Sequence, residues 1–235
     1  MAWHSHPNYL ALFLVLPLTS CGAAQEVELG DCRFLIPGSY VEAIADNVQS
    51  DSADQFDPGY YVTINIPADE LSDFLMRKGL DDWATLGGGA KGLSILISEV
   101  SADEQQGDHI KLKVGNTGSE ADFEWDDVAS AYRVYWTERK KSWILTTLKP
   151  EPTEDGHAKI SRADVIAHCH ETPISPAGSF DCLRSFQTDS IVGSYHLAEQ
   201  NFRNRAELDR LIVDRLRQWE LVADGPLSCV KHISS

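Results

Sequence analysis

The chain has 235 residues, of which 43% are hydrophobic and 9% aromatic, so it is long enough and apolar enough for a buried core and fits neither a disordered nor a membrane-spanning class. Its 36 Asp and Glu against 20 Lys and Arg give a formal net charge of −16. This charge excludes nucleic acid as an expected partner and favours a basic protein, unless it serves only to keep the protein soluble.

The long apolar run of the sequence covers Tyr9–Leu18, close to the N-terminus. Such a run is too short for a helix that crosses a bilayer core of about 30 Å, but it matches the apolar region of a secretory signal peptide. We therefore predict that residues 1–20 are a signal peptide and that the rest of the chain folds outside the cytoplasm. The alternative is an ordinary secretory leader that is cleaved near Ala24.

The segment Leu18-Thr19-Ser20-Cys21 resembles the lipobox of bacterial lipoproteins, in which Leu and two small residues precede the modified Cys. The resemblance implies that Cys21 receives a diacylglyceryl group, that cleavage occurs before it, and that its new amino group is acylated with a fatty acid such as palmitate. Gly22 implies an outer-membrane, periplasm-facing anchor in a Gram-negative host. The absence of Lys and Arg before Tyr9 departs from the family. Residues 21–30 are predicted to form a tether.

The remaining cysteines are an even set in an oxidising compartment, which predicts two disulfide bonds. Three pairings are possible among Cys32, Cys169, Cys182 and Cys229. The sequence favours Cys169–Cys182, a local staple across a loop, together with Cys32–Cys229, which would tie the two ends of the domain. The alternative is that all four are buried free thiols.

Strand signals dominate the first two thirds of the chain. Runs rich in β-branched and aromatic residues cover Cys32–Val41, Gly59–Pro67, Leu93–Val100, His109–Gly115, Ala131–Thr137 and Ser142–Lys149. The last four runs predict an antiparallel meander. Acidic residues near the start of Pro67–Leu75 predict a helix there, and Asp81–Leu86 is predicted to add a helical turn or two.

The C-terminal third predicts a β-hairpin followed by a helix. Lys159–Cys169 is predicted to be a strand or a strand–helix junction, and two further runs form a hairpin across Gln187–Asp189. One apolar stripe of the final helix is expected to pack on the sheet, with its Arg and Asp residues on the other side. This stripe comprises Leu208, Leu211, Ile212, Leu216 and Trp219. Asn204 and Glu207 have the spacing of a capping box.

Together these elements predict an α+β fold. It would be an antiparallel β-sheet meander with a C-terminal amphipathic helix and one or two shorter helices packed on one face. Residues 31–235 are expected to form a single domain. Two loosely similar halves, 31–150 and 151–235, are an alternative organisation, because a Cys-containing strand run precedes a helical run in each.

The segment Ser119–Asp127 interleaves two aromatic residues with five acidic residues. An exposed Trp surrounded by charge is typical of a protein-binding hot spot, in which an apolar anchor sits inside a charged rim. The partner-binding residues predicted here are Asp122, Glu124, Trp125, Asp126 and Asp127. The alternative is that Phe123 and Trp125 face the core of a strand while the acidic side chains face water.

No motif in the sequence predicts catalysis. Gly87–Gly92 lacks the order of a phosphate loop and precedes a strand, and Val192–His196 lacks the second Gly of a nucleophile elbow. His168 and His170 would share one face of a strand and could ligate a metal with another His, but no metal-binding spacing accompanies them. We therefore expect neither an enzyme, a cofactor nor a metal site.

The lipobox followed by Cys32–Val41, and the C-terminal order of Cys169, Cys182, hairpin and helix, are similar to periplasmic immunity lipoproteins of type VI and type IV antibacterial secretion systems. The resemblance implies a membrane-anchored protein that binds a secreted effector and neutralises it by occlusion. Two other functions stay open from the sequence: a structural or accessory lipoprotein of the cell envelope, and an envelope hydrolase with an unrecognised site.

Overall fold

The computed structural model describes residues 22–45, 61–84, 92–100, 109–113, 123–127, 129–135, 141–153, 157–171, 180–188, 190–221 and 229–230. The strands are β1 (Gln25–Leu29), β2 (Cys32–Ile36), β3 (Val41–Ala45), β4 (Tyr61–Ile66), β5 (Leu93–Glu99), β6 (His109–Lys113), β7 (Phe123–Asp126), β8 (Ala131–Tyr135), β9 (Ser142–Thr146), β10 (Glu151–Pro152), β11 (His157–Ser161), β12 (Val165–Glu171), β13 (Phe180–Gln187) and β14 (Ile191–Ala198). The helices are α1 (Ala68–Arg77), α2 (Glu199–Phe202) and α3 (Arg205–Trp219), with a 3₁₀ turn at Arg162–Asp164. None of these helices has the length and apolar composition needed to cross a membrane.

The architecture confirms the α+β prediction. Nine strands form the main sheet in the order β3-β4-β5-β14-β13-β12-β9-β8-β7, and every neighbouring pair is antiparallel. Strands β10, β11 and β6 form a second sheet, and β1 and β2 form a hairpin. Because β5 pairs with β14, the main sheet draws on both halves of the sequence, 31–150 and 151–235.

The predicted meander from Leu93 to Lys149 is wrong for its first two strands. β5 lies between β4 and β14, and β6 pairs with β11 in the second sheet. Only β8 and β9 are neighbours as the meander requires. Alternation within a strand specifies which side chains are buried but not which strand pairs with it, so closeness in sequence was a poor guide to pairing here.

One face of the main sheet carries the principal core. Every second side chain of β4 and β5 is fully or almost fully buried on this face, and helices α1 and α3 cover it with their own apolar stripes. The α3 residues predicted to form the stripe are all buried. On the opposite face, Val134 and Ile144 pack against Ala158 and Ile160 of β11, so the second sheet covers the β8–β9 region with a separate small core.

The predicted tether at residues 21–30 is wrong for most of its length. Gln25–Leu29 is strand β1, which pairs with β2 along all five residues. Val27 and Leu29 are buried in the principal core, and the glutamates that alternate with them are exposed. Gly30 then turns the chain with a positive φ of 59°. Strand β1 therefore takes the place of the predicted tether from Gln25 to Leu29.

Two local predictions near the helices are also wrong. The Asn204 side chain makes no capping hydrogen bond to α3, and its Nδ2 donates to the backbone oxygen of Asp81 at 3.2 Å. Residues 81–84 are not helical. A backbone hydrogen bond from Ala84 to the Oδ1 of Asn201 fastens this segment to α2 instead, so tertiary contacts take the place of helical ones.

Two disulfides lie within the principal core. The structure joins Cys32 to Cys229 and Cys169 to Cys182, which are the pairings that the sequence favours. The first ties β2 to the C-terminal turn, and the second links the neighbouring strands β12 and β13. Cys32, Cys169 and Cys182 are each at most 2% exposed.

Candidate functional site

The predicted partner-binding segment lies largely on β7, an edge strand of the main sheet. Because side chains alternate along a strand, Phe123 and Trp125 lie on one face, and Glu124 and Asp126 lie on the other. The face that carries the two acidic residues is the face of the principal core. Period-two alternation therefore separates the tryptophan from two of its predicted acidic neighbours.

Asp126 is the clearest departure from the predicted surface, since it is only 6% exposed. Its Oδ2 accepts hydrogen bonds from Nε of Arg133 at 2.7 Å and from Nη2 at 2.6 Å. Its Oδ1 accepts the backbone N–H of Ala129 at 3.1 Å. The prediction that Asp126 contacts a partner is therefore wrong, because its carboxylate is buried and holds the fold together.

Glu124 is exposed but also has an internal role. Its Oε2 accepts a hydrogen bond from the Tyr135 hydroxyl at 2.8 Å, and burial together with this bond raises the pKa of Tyr135. Arg133 is paired with Glu124 across β7 and β8 and lies on the same face of the sheet. Its guanidinium lies 4.8 Å from the Trp143 ring centroid and 5.3 Å from the Phe180 ring centroid. These contacts fix the inner side of β7 firmly against the core.

Trp125, in contrast, is 49% exposed. Its ring meets the edge of Tyr132 with centroids 4.9 Å apart at an interplanar angle of 71°, and its Nε1 donates to Oδ1 of Asp127 at 2.9 Å. A large aromatic side chain that is ordered before binding loses little entropy when a partner covers it. Trp125 thus has the properties of a preorganised anchor.

The turn that follows β7 is fastened to α3. Nη2 of Arg205, the first residue of α3, donates to the backbone oxygen of Ala129 at 3.0 Å. Ser130 adopts a positive φ of 49°, and the buried carboxylate of Asp126 holds the start of the turn. Trp125 therefore lies on the strand just before this turn, and Asp127 follows it at the start of the turn.

Tyr132 extends this surface, and Leu148 is a further exposed apolar residue shortly after β9; sequence reasoning missed both. Tyr132 pairs with Thr146, whose hydroxyl donates to the backbone oxygen of Leu148 at 2.8 Å, and the Leu148 side chain is 64% exposed. Thr147 donates its N–H to the backbone oxygen of Asp164 at 2.8 Å. We call Trp125, Asp127 and Tyr132 the Trp125 patch. An isolated leucine after a strand carries no sequence signal of its exposure.

Two of the predicted site residues, Cys21 and Asp122, lie outside the described residues. The site as described therefore consists of an exposed aromatic anchor, Trp125, that packs on Tyr132 and has the acidic side chain of Asp127 beside it. Such an arrangement suits the binding of a protein surface.

The histidines considered for a metal lie on the outer face of β12 and its neighbours. His170 pairs with Asp181, and Nδ1 of His196 lies 3.0 Å from Oδ2 of Asp181. The hydrogen bond to Asp181 raises the pKa of His196, and burial lowers that of His168. In the part of the chain that the structure describes, no three His, Cys, Asp or Glu side chains come together as a metal site.

Comparisons of the chain with protein-family models, with curated proteins and with solved structures find no match.

Proposed function

We propose that the chain is a lipid-anchored protein of the cell envelope that binds a basic antibacterial effector and neutralises it by occlusion. The observation that carries the proposal is the exposed Trp125 on a strand at the edge of the described sheet, packed on Tyr132 and hydrogen-bonded to Asp127. A rigid aromatic anchor of this kind is what dominates the affinity of many protein interfaces. The binding site is the Trp125 patch.

The charge of the chain supports a basic partner. The net charge of −16 would attract such a protein over distances of about 10 Å at 0.1 M salt, and the exposed carboxylate of Asp127 accepts a hydrogen bond from Nε1 of Trp125. An effector that acts on anionic envelope polymers or lipids is expected to carry positive charge, because its substrate is negatively charged. We therefore assign the acidic surface to steering and the Trp125 patch to affinity.

The proposed lipid anchor at Cys21 would hold the domain close to the membrane. Cys21 is four residues before Gln25, the start of β1, so an extended link spans at most about 14 Å. Mass spectrometry of the mature N-terminus tests the anchor. We expect a lipid-modified Cys21 at the terminus, and an unmodified terminus at Ala24 or beyond would contradict it.

Trp125→Ala should weaken the complex with a purified cognate effector about 30-fold, which corresponds to a hot-spot loss of about 2 kcal/mol. Met76→Ala is the matched control, because Met76 is 57% exposed on α1 and lies outside the patch. Isothermal titration calorimetry measures both affinities, and circular dichroism checks that both variants fold. Equal affinities for Trp125→Ala and Met76→Ala would exclude the Trp125 patch as the binding site.

The double variant Glu124→Gln, Asp127→Asn should slow association with the effector by about 3- to 10-fold at low salt. The association rate should also depend less on salt than that of the wild type. Each substitution removes a charge but keeps the oxygen that accepts a bond from Tyr135 or from Trp125. Stopped-flow experiments measure the association rate at salt concentrations from about 20 to about 300 mM, a range over which electrostatic screening changes strongly. If the rate and its salt dependence match those of the wild type, steering by this surface is wrong.

A further inference from the structure

The first described residues of the chain lie directly against the turn between β2 and β3, which we call the Gly38 turn (Pro37–Tyr40). A β-carbon on Gly38 would lie 2.6 Å from the backbone oxygen of Ala23 and 2.9 Å from the backbone carbon of Gly22. A β-carbon on Gly22 would lie 3.0 Å from the Cα of Gly38. The two backbones can approach this closely because neither glycine has a side chain.

The Gly38 turn is fastened to three other elements through Tyr40. The N–H of Tyr40 donates to the backbone oxygen of Pro37 at 2.9 Å, which closes the turn, and its carbonyl accepts the N–H of Asn65 of β4 at 2.7 Å. The Tyr40 ring lies 5.0 Å from the ring of Trp219 of α3, and its hydroxyl donates to Glu70 of α1. The turn therefore offers a firmly held surface to the N-terminal segment.

Helix α3 separates the Gly38 turn from the Trp125 patch. Its last residue, Trp219, contacts Tyr40 of the Gly38 turn, whereas its first residue, Arg205, donates to the backbone oxygen of Ala129 in the turn after β7. These two ends of the helix are about 21 Å apart at a rise of about 1.5 Å per residue. The strand order agrees, since β3 follows the Gly38 turn and β7 lies at the opposite end of the main sheet.

We infer that the contact between Gly22 and Gly38 fixes how the domain stands on a lipid bilayer, with the Gly38 turn toward the bilayer and the Trp125 patch away from it. This inference rests on the proposed function, because it takes Cys21 as the lipidated residue. Neighbouring Cα atoms are about 3.8 Å apart across a trans peptide bond, so a lipid on Cys21 would be attached beside the Gly38 turn. The orientation leaves the Trp125 patch accessible to a partner that approaches from the periplasm.

Paramagnetic relaxation of the lipidated, full-length mature protein tests this orientation. The protein is placed in nanodiscs of phosphatidylethanolamine and phosphatidylglycerol that contain a lipid with a nitroxide on its headgroup, and NMR measures the relaxation of the backbone amides. The relaxation caused by the nitroxide should be at least about tenfold stronger at Tyr40 and Val41 than along β7, because it falls with the sixth power of distance and α3 separates the two regions by about 21 Å.

Two variants remove the contact in different ways. A flexible Gly-Ser segment of about ten residues, inserted between Cys21 and Gly22, moves the lipid away from the contact and leaves the folded residues unchanged. Gly38→Ala displaces the N-terminal segment, and Ser39→Ala is its matched control, because the Ser39 side chain is exposed in the same turn. We expect the insertion and Gly38→Ala to lower the relaxation ratio to below about threefold, since the lipid then has no fixed direction, and Ser39→Ala to keep the wild-type ratio.

Equal relaxation of the two regions in the wild type, stronger relaxation along β7, or a wild-type ratio in the insertion variant or in Gly38→Ala would overturn the inference. An unmodified Cys21 in the mass spectrum would reject both the lipid anchor and the orientation. A lipidated Cys21 with equal relaxation of the two regions would retain the lipid anchor and reject only the fixed orientation. The binding site fails separately, if Trp125→Ala leaves the affinity for the effector unchanged.

Discussion

Replacing both Cys32 and Cys229 with Ala should lower the free energy of unfolding by about 5 kcal/mol, the largest effect that we expect from any change in this chain. The two cysteines are 197 residues apart in sequence, so their disulfide closes almost the whole domain into one loop. In the chain-entropy model, the stabilisation grows with the logarithm of loop length. A loss of this size approaches the entire stability of many domains.

The short-range disulfide provides the matched control. Cys169 and Cys182 are 13 residues apart, so removing both should cost only about 3 kcal/mol on the same model. Both pairs lie in the principal core, so each double variant also loses buried sulfur atoms. Urea unfolding monitored by tryptophan fluorescence measures the two losses. If the loss for Cys169 and Cys182 equals or exceeds that for Cys32 and Cys229, loop length is not the source of the stabilisation.

Asp209→Ala should destabilise the fold by about 3–5 kcal/mol, because it leaves Arg184 buried without its counter-charge. Arg184 is 4% exposed and Asp209 is 5% exposed. Nε of Arg184 donates to both carboxylate oxygens at 3.0 Å, and its Nη1 donates to the backbone oxygen of Ile166 at 2.6 Å. The Tyr195 hydroxyl also donates to Asp209, so the substitution leaves a second buried group without its acceptor.

Asp214→Ala on the same helix is the control for this prediction. Asp214 pairs with Arg217 at 3.5 Å on the exposed side of α3, and such pairs contribute about 0–1 kcal/mol. The double variant Arg184→Met, Asp209→Leu should recover much of the loss, since apolar residues of similar volume need no counter-charge. Urea unfolding of the three variants decides the point: a double variant as unstable as Asp209→Ala would show that the loss does not come from the unpaired charge.

The buried pair also shows where sequence reasoning was limited. The apolar stripe of α3 was predictable because five apolar residues recur at helical spacing, and all five are buried. The prediction that the aspartates of α3 face away from the sheet was wrong for Asp209. Its partner Arg184 lies on β13, and no local pattern links residues that are 25 positions apart.

The fold was predictable where contacts are local. The β13–β14 hairpin follows from two strand runs with a short connection between them, and its register is regular from Asp181 to Gln187. The pairing of β5 with β14 brings together residues about 95 positions apart in sequence. Such a pairing depends on which faces are buried in the complete core, and a local pattern does not show this. Strand β1 was missed because two apolar residues among glutamates gave too short a pattern to separate a strand from a linker.

Alternation was the basis of the alternative interpretation of the β7 segment, and the strand register places its aromatic and acidic side chains on opposite faces. It could not assign the faces, because apolar residues normally mark the core. Here Asp126 lies on the core face, where Arg133 neutralises it, and Trp125 lies on the outer face against Tyr132. Phe123, on the same outer face as Trp125, packs against the small core. The residues of the neighbouring strands therefore decide which positions of β7 are buried, and this information is absent from the segment itself.

The central claim is that the Trp125 patch occludes the active site of an effector, and inhibition at defined stoichiometry tests it most directly. The activity of a purified cognate effector would be titrated with the wild-type protein, with Trp125→Ala and with Met76→Ala. We expect the wild type and Met76→Ala to abolish activity at one equivalent, and Trp125→Ala to require a large excess. Full activity of an effector that is saturated with the wild-type protein, or equal potency of all three proteins, would contradict the claim.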